Sequence, residues 1–132
     1  MDLASHGWVH GSGYEYATVV VSRWPPSRRT LTVCNAGNLP PYLIRDGAVT
    51  RIGDSGLGAG MFPGTRFNVS RVRARPGDIV LMTSDGIPDQ PATDLNDFQV
   101  EELARHLASG PALSAEALLE ESWRFFRRID WK

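Results

Sequence analysis

Asp85 is the residue whose neighbours best prepare it for chemistry. It closes the apolar run Ile79-Val80-Leu81-Met82-Thr83-Ser84, which carries no charge after Asp78, and Gly86 follows it directly. A run of this kind reads as a strand covered on both faces, and a glycine after the acid lets the backbone turn sharply. The arrangement delivers a carboxylate to a strand end, where ligand sites commonly lie. Taken as an isolated dipeptide, Asp85-Gly86 is also ordinary turn chemistry.

Other reactive residue types lack the partners their chemistry requires. Gly53-Asp54-Ser55-Gly56 is similar to the nucleophile segment of chymotrypsin-like serine proteases, where a serine depends on a histidine base and a buried carboxylate. His6 and His10 precede it, but in a glycine-rich leader, and the chain is too short for two β-barrels. Those two histidines, four apart, could share a helix face and bind metal, yet Gly7, Gly11 and Gly13 oppose a helix there. Gly56-Leu57-Gly58-Ala59-Gly60 suggests a phosphate cradle, but no Lys-Ser/Thr pair and no helix start follow it, so a mobile loop is expected. Asn68-Val69-Ser70 matches a glycosylation sequon in a chain without a secretory signal, and is read as chance.

The chain that positions these groups has 132 residues, enough for one domain with a single core, and 42% of them are hydrophobic, as in a soluble globular protein. A formal net charge of -1 supplies no global basic field, which argues against nucleic acid as a partner. No long apolar block argues for a membrane span or an export signal, and the single cysteine, Cys34, fits a core position in a reducing compartment. The expected location is cytoplasmic.

Residues 1–15 show no usable period and are expected to be a flexible lead-in. From Tyr16 to Ser22 the sequence is β-branched and aromatic, and Thr30 to Asn35 alternates, so a hairpin is expected, with a turn carrying Arg28 and Arg29. Tyr42 to Arg45 and Ala48 to Ile52 flank Asp46-Gly47, the strongest hairpin signal in the chain. Gly53 to Gly64 reads as a surface loop, and Arg66 to Arg73 as a strand with Phe67, Val69 and Val72 turned inward. Past the apolar run the period changes. Asn96 as N-cap, with Gln99 three residues on, opens a helix with the stripe Val100, Leu103, Ala104 and Leu107. Ser114 caps a second helix whose face carries Leu118, Leu119, Ser122, Phe125, Phe126 and Ile129, with Arg124, Arg127 and Arg128 toward its negative end.

The order of these stretches carries more information than any of them alone. Tyr16-Ala17-Thr18 at a strand start, Asn35-Ala36-Gly37-Asn38-Leu39-Pro40-Pro41, a Gly-rich loop at Leu57 to Pro63, Pro76-Gly77-Asp78, Thr83-Ser84-Asp85-Gly86-Ile87 and two closing helices together resemble the bacterial metal-dependent protein phosphatases (PPM family) of the SpoIIE type. The resemblance spans about Tyr16 to Ile129 and implies an α+β fold: antiparallel β-sheets forming an incomplete PPM-like sandwich, with two C-terminal flanking helices. It divides the chain into the lead-in 1–15 and a partial phosphatase domain over 16–132, the larger C-terminal part of the catalytic domain.

By the same resemblance, Asp85 is a metal ligand and Gly86 the backbone element of the metal site, in a two-metal centre of Mn2+ or Mg2+. Such a centre hydrolyses phosphoserine or phosphothreonine on a regulatory phosphoprotein, possible substrates including an anti-sigma-factor antagonist. Two hard cations about 3.5 to 4 Å apart require several carboxylates, so that a bridging water can lose its proton and attack the phosphoryl group in line. The family's other acids, from a Gly-Asp-Val-Ser-Gly-like segment and an Asp-Asp pair, have no counterpart in this sequence, and Asn38 stands where a histidine is often found. Asn35 to Asn38 are accordingly expected to shape a loop. With one candidate ligand, weak activity, and either missing flanking segments or a homo-oligomer, are expected. The alternative is a noncatalytic PPM-like module for protein interaction.

Overall fold

The computed structural model describes residues 15–85 and 97–128. They fall into two compact units that interleave along the chain: one from residues up to Pro40 together with Arg51–Arg75, the other from Pro41–Thr50 together with the residues from Pro76 onward. Each contains a three-stranded antiparallel sheet, and the second adds both helices. The α+β architecture is the one the sequence implies.

In the first unit, β1 (Val19–Arg23), β2 (Thr30–Ala36) and β5 (Val69–Arg73) lie in the order β1-β2-β5. The expected hairpin is present, with Val19 opposite Ala36 and Arg23 opposite Thr32. Its connection is a 3-10 turn over Pro26–Arg28, opened by the fixed φ of proline and closed by Arg29 in the left-handed region at φ 46°. β1 begins later than Tyr16 because its partner strand ends opposite Val19. Ala17 pairs with Ala59 of the Gly-rich loop instead.

Strict alternation then sorts the side chains of the sheet. Leu31 and Val33 are buried, and their partners across β5 are Val72 and Ser70. Val69 has the opposite parity, pairs with Cys34 and is 40% exposed, which corrects its expected inward position. Cys34 is buried, as a small core residue should be.

In the second unit, β3 (Tyr42–Arg45), β4 (Ala48–Arg51) and β6 (Ile79–Leu81) lie in the order β4-β3-β6. Asp46 at φ 49° and Gly47 at φ 76° form the expected tight turn, since a two-residue hairpin loop matching strand twist needs positive φ at both positions. The strand buried along its length is β3, where Tyr42, Leu43 and Ile44 are all buried. The apolar run at Ile79 was expected to hold that place, but β6 pairs with β3 alone among the described residues, leaving Val80 37% and Met82 38% exposed. Position in the sheet, which hydrophobicity does not encode, makes the difference.

Helix α1 (Asp97–Ser109) packs against β3 through the expected stripe, with Val100, Leu103, Ala104 and Leu107 all buried. Gln99 is buried too, while Asn96 lies outside the described residues. Helix α2 (Ala115–Arg128) starts at Ser114, whose Oγ accepts a hydrogen bond from the Ala117 amide at 3.3 Å. Phe126 is buried, but Leu119 is 62% exposed, so the apolar face of α2 is only partly covered. No helix among the described residues is long and apolar enough to cross a membrane.

Candidate functional site

Asp85 lies four residues beyond the end of β6, with its side chain exposed. The register of β6, with Ile79 opposite Ile44 and Leu81 opposite Tyr42, fixes where that chain end emerges from the sheet. The strand is anchored at its start by Asp78, whose buried carboxylate accepts two hydrogen bonds from Arg45 of β3, from Nε at 2.9 Å and from a terminal nitrogen at 2.6 Å. This two-pronged ion pair is the strong form of arginine–carboxylate contact, and it raises the Arg45 pKa above its usual value. Sequence patterning gives Asp78 no partner; only the pairing of β3 with β6 brings Arg45, 33 positions away, alongside.

Gly86, the expected backbone element of the metal site, lies outside the described residues, as do His6 and His10. Among the described residues no group of three or more His, Cys, Asp or Glu side chains could hold a metal ion. Asp85 therefore belongs to no such group, and the described residues do not fit a two-metal centre without further ligands.

The Asn35-to-Pro41 segment behaves as the sequence suggests. Asn35 is buried, and its side chain ties the loop together: Oδ1 accepts from the Asn38 amide at 3.0 Å, while Nδ2 donates to the carbonyl oxygens of Asn38 at 3.0 Å and Leu39 at 3.4 Å. These bonds are spent on shape. Gly37, at φ 74°, runs so close to the Gly-rich loop that a Cβ there would sit 2.8 Å from the Cα and nitrogen of Gly58. Its amide donates to the Ser55 carbonyl at 2.7 Å. The Gly-rich loop is irregular, as expected, but it is held in place by paired backbone hydrogen bonds between Ala17 and Ala59, at 2.9 and 2.8 Å. With the Ala59 amide committed to that bridge and the Gly58 amide donating to Met61 Sδ at 3.2 Å, the segment is a packing junction and not a phosphate cradle.

One further polar site escaped sequence reading. His106 on α1 and Glu121 on α2 meet at 2.7 Å, and the imidazole ring lies 5.0 Å from that of Phe125. The hydrogen bond from His106 lowers the Glu121 pKa, with Arg128 and Arg124 adding attraction. Helical spacing places both residues at the polar edges of apolar stripes, a signal visible only once the two helices are known to pair.

The family of this arrangement can be decided by comparison. A family model described as Stage II sporulation protein E (SpoIIE) matches residues 2–129. The chain belongs to the SpoIIE family. Its fold is that of the SpoIIE-type PPM phosphatases: the phosphatase domain of the cell fate determinant SpoIIE from Bacillus subtilis, in a Mn-presoaked structure, aligns over 82% of this chain and 48% of its own with a TM-score of 0.57 and 22% identity. The RsbU and RsbW domains of Rv1364c from Mycobacterium tuberculosis align over 84% of this chain and 31% of theirs, with a TM-score of 0.65 and 23% identity. Protein IcfG of Synechocystis sp. (strain ATCC 27184 / PCC 6803 / Kazusa) is 24% identical over 110 residues, which make up 83% of this chain and 17% of IcfG. The chain thus spans less than half the length of each of these relatives.

Proposed function

We propose that this SpoIIE-family chain contributes to a metal-dependent protein phosphatase, hydrolysing phosphoserine or phosphothreonine on a regulatory protein such as an anti-sigma-factor antagonist. Asp85 supplies one carboxylate to the Mn2+ or Mg2+ it requires, with Gly86 as the backbone element of that metal site. The observation that carries this reading is an exposed acid just past the end of β6 in a chain matched by the family over nearly its whole length. A lone carboxylate leaves most coordination positions of a hard cation to water, so the remaining ligands must come from outside the described residues or from a second chain. In this proposal the protein is cytoplasmic and associates with further copies or further segments.

A second reading, a noncatalytic module that keeps the scaffold for partner binding, is favoured by the lack of an acidic cluster among the described residues. One comparison separates the two. Asp85→Asn should leave the melting temperature level or slightly raised while abolishing any manganese-induced shift, with calorimetry showing weak manganese binding that the variant lacks. A clear loss of stability together with an unchanged manganese shift would make Asp85 a turn residue and leave the module reading standing.

A further inference from the structure

The register of a strand pair is set by a tight connecting turn, by alternation of polar and apolar residues, or by a specific pair of side chains across the strands. The β3–β4 hairpin has the first, in the Asp46-Gly47 turn, and β2 has the second, with Leu31 and Val33 buried on either side of Thr32. The pairing of β3 with β6 has neither. No hairpin turn joins these strands, because β4 and β5 intervene in the chain. Tyr42, Leu43 and Ile44 stand opposite Leu81, Val80 and Ile79, apolar against apolar throughout, and Met82 continues the run. A slip of one place would pair the same three residues with Met82, Leu81 and Val80, and the contacts would still be apolar. Burial does not decide between the two, since Ile79 and Leu81 are half-buried, Val80 is exposed, and exchanging their faces strands no polar side chain.

One step beyond the Ile44–Ile79 pair, the charges that bound the two apolar runs meet. Arg45 donates from Nε at 2.9 Å and from a terminal nitrogen at 2.6 Å to the two oxygens of Asp78, whose side chain is only 6% exposed. The slip would set Arg45 opposite Ile79 and carry the carboxylate about 3.4 Å along the strand, out of line with the planar fork, so the two parallel bonds could not both form. A buried carboxylate would then lose its guanidinium, a penalty that none of the apolar pairs imposes. Buried ion pairs replaced whole by apolar side chains often cost little stability. What this pair adds is therefore a choice between two registers that hydrophobic contact leaves equal.

We propose that Arg45 and Asp78 select the register of β6 and thereby place Asp85. Asp85 ends the run that Asp78 begins, four residues past the last residue of β6. A slip of one place carries the chain about 3.4 Å along β3 and turns successive side chains to opposite faces. A carboxylate holds Mg2+ at about 2.1 Å, so a displacement of that size takes it out of a metal centre. Arg45 and Asp78 are then positioning residues, acting on the metal site from the far end of the strand without touching it. Their effect on metal rests on the role proposed for Asp85; their choice of register does not.

Two double variants of the whole 132-residue chain test this, with the register read from cross-strand backbone proton contacts by NMR. Arg45→Met/Asp78→Leu replaces the pair with apolar side chains. It should keep the melting temperature of the parent and yet show two sets of contacts, Leu43 with Val80 and Leu43 with Leu81, where the parent shows the first alone. Asp78→Ile/Ile79→Asp moves the acid one place without changing composition. It should draw the strand with it, bringing Ile44 opposite Val80 in a single new register. A single native register in either variant would overturn the proposal, and so would a large fall in melting temperature for Arg45→Met/Asp78→Leu with the register intact, since the pair would then supply strength and not place. Dilute manganese, which broadens the signals nearest to it, reads the second step. Broadening centred on Asp85 in the parent should fall at least about twofold in both variants, although Asp85 is unchanged. Broadening that stays on Asp85 in the slipped strand would overturn the positioning role, whereas none at Asp85 in the parent would overturn the metal reading itself and leave the register result standing.

Discussion

The two units are built from the same kind of sheet and carry opposite charge. Over its described residues the first holds eight arginines against two acids, the second five against nine. They also differ in how polar groups are used. In the first, backbone and amide hydrogen bonds join the Asn35 loop to the Gly-rich loop, and Arg23 and Arg71 stand on a sheet face with no ion pair among the described residues. In the second, side-chain contacts tie one element to another: an ion pair from Arg45 to Asp78 between strands, a hydrogen bond between His106 and Glu121 between helices. One unit keeps its shape by close backbone approach and carries an excess of arginine. The other is fastened by its charges and by the α1 core.

The sharpest way to break this contrast is to empty the α1 core. Leu103 is 1% exposed, and Leu103→Ala should cost about 2–5 kcal/mol, read as a fall in the denaturation midpoint. Hydrogen exchange should show the loss concentrated in α1, α2 and β3, with β2 keeping its protection. Equal loss in β2 would mean that the units open together.

A smaller effect tests the backbone junction of the first unit. Gly37 and Gly64 share a φ of 74°, but a Cβ at Gly37 meets Gly58 at 2.8 Å while one at Gly64 meets nothing within 4 Å. Both alanine variants bear the conformational strain, about 1–3 kcal/mol, and only Gly37→Ala adds a clash between backbones. Gly37→Ala should therefore be the less stable of the two in urea denaturation. Equal stabilities would remove the loop contact as a source of order.

The smallest expected effect is acid sensitivity in the second unit. The Glu121 carboxyl is held below its ordinary 4.5 by the His106 hydrogen bond, so its stabilisation is present above the unfolded value and is lost as pH falls through the folded one. Melting curves from about pH 6 down to about pH 3 should fall less steeply for Glu121→Gln than for the parent, the gap closing at the acid end. Parallel curves would show that the pair contributes nothing to pH dependence.

Much of this was legible in the amino-acid sequence because it depends on neighbours a few residues apart. Alternation set β2 and the β1–β2 hairpin, Asp46-Gly47 set the β3–β4 turn, and the period of Val100, Leu103, Ala104 and Leu107 set α1 and its buried face. The same local order of motifs carried the family resemblance, and it placed Asp85 beyond a strand end. What only the tertiary structure decided is which strand is central and which groups meet. An apolar run is equally at home in β3 or β6, and pairing on two sides, not composition, buries Tyr42 to Ile44 while leaving Val80 exposed. Arg45 finds Asp78, and Arg23 comes level with Arg71, across distances in sequence that no short pattern spans. Charge shows the reason most plainly: the units alternate along the chain, so a basic excess in one and an acidic excess in the other are hidden in a sequence whose formal net charge is -1, and each becomes visible only when folding gathers its segments.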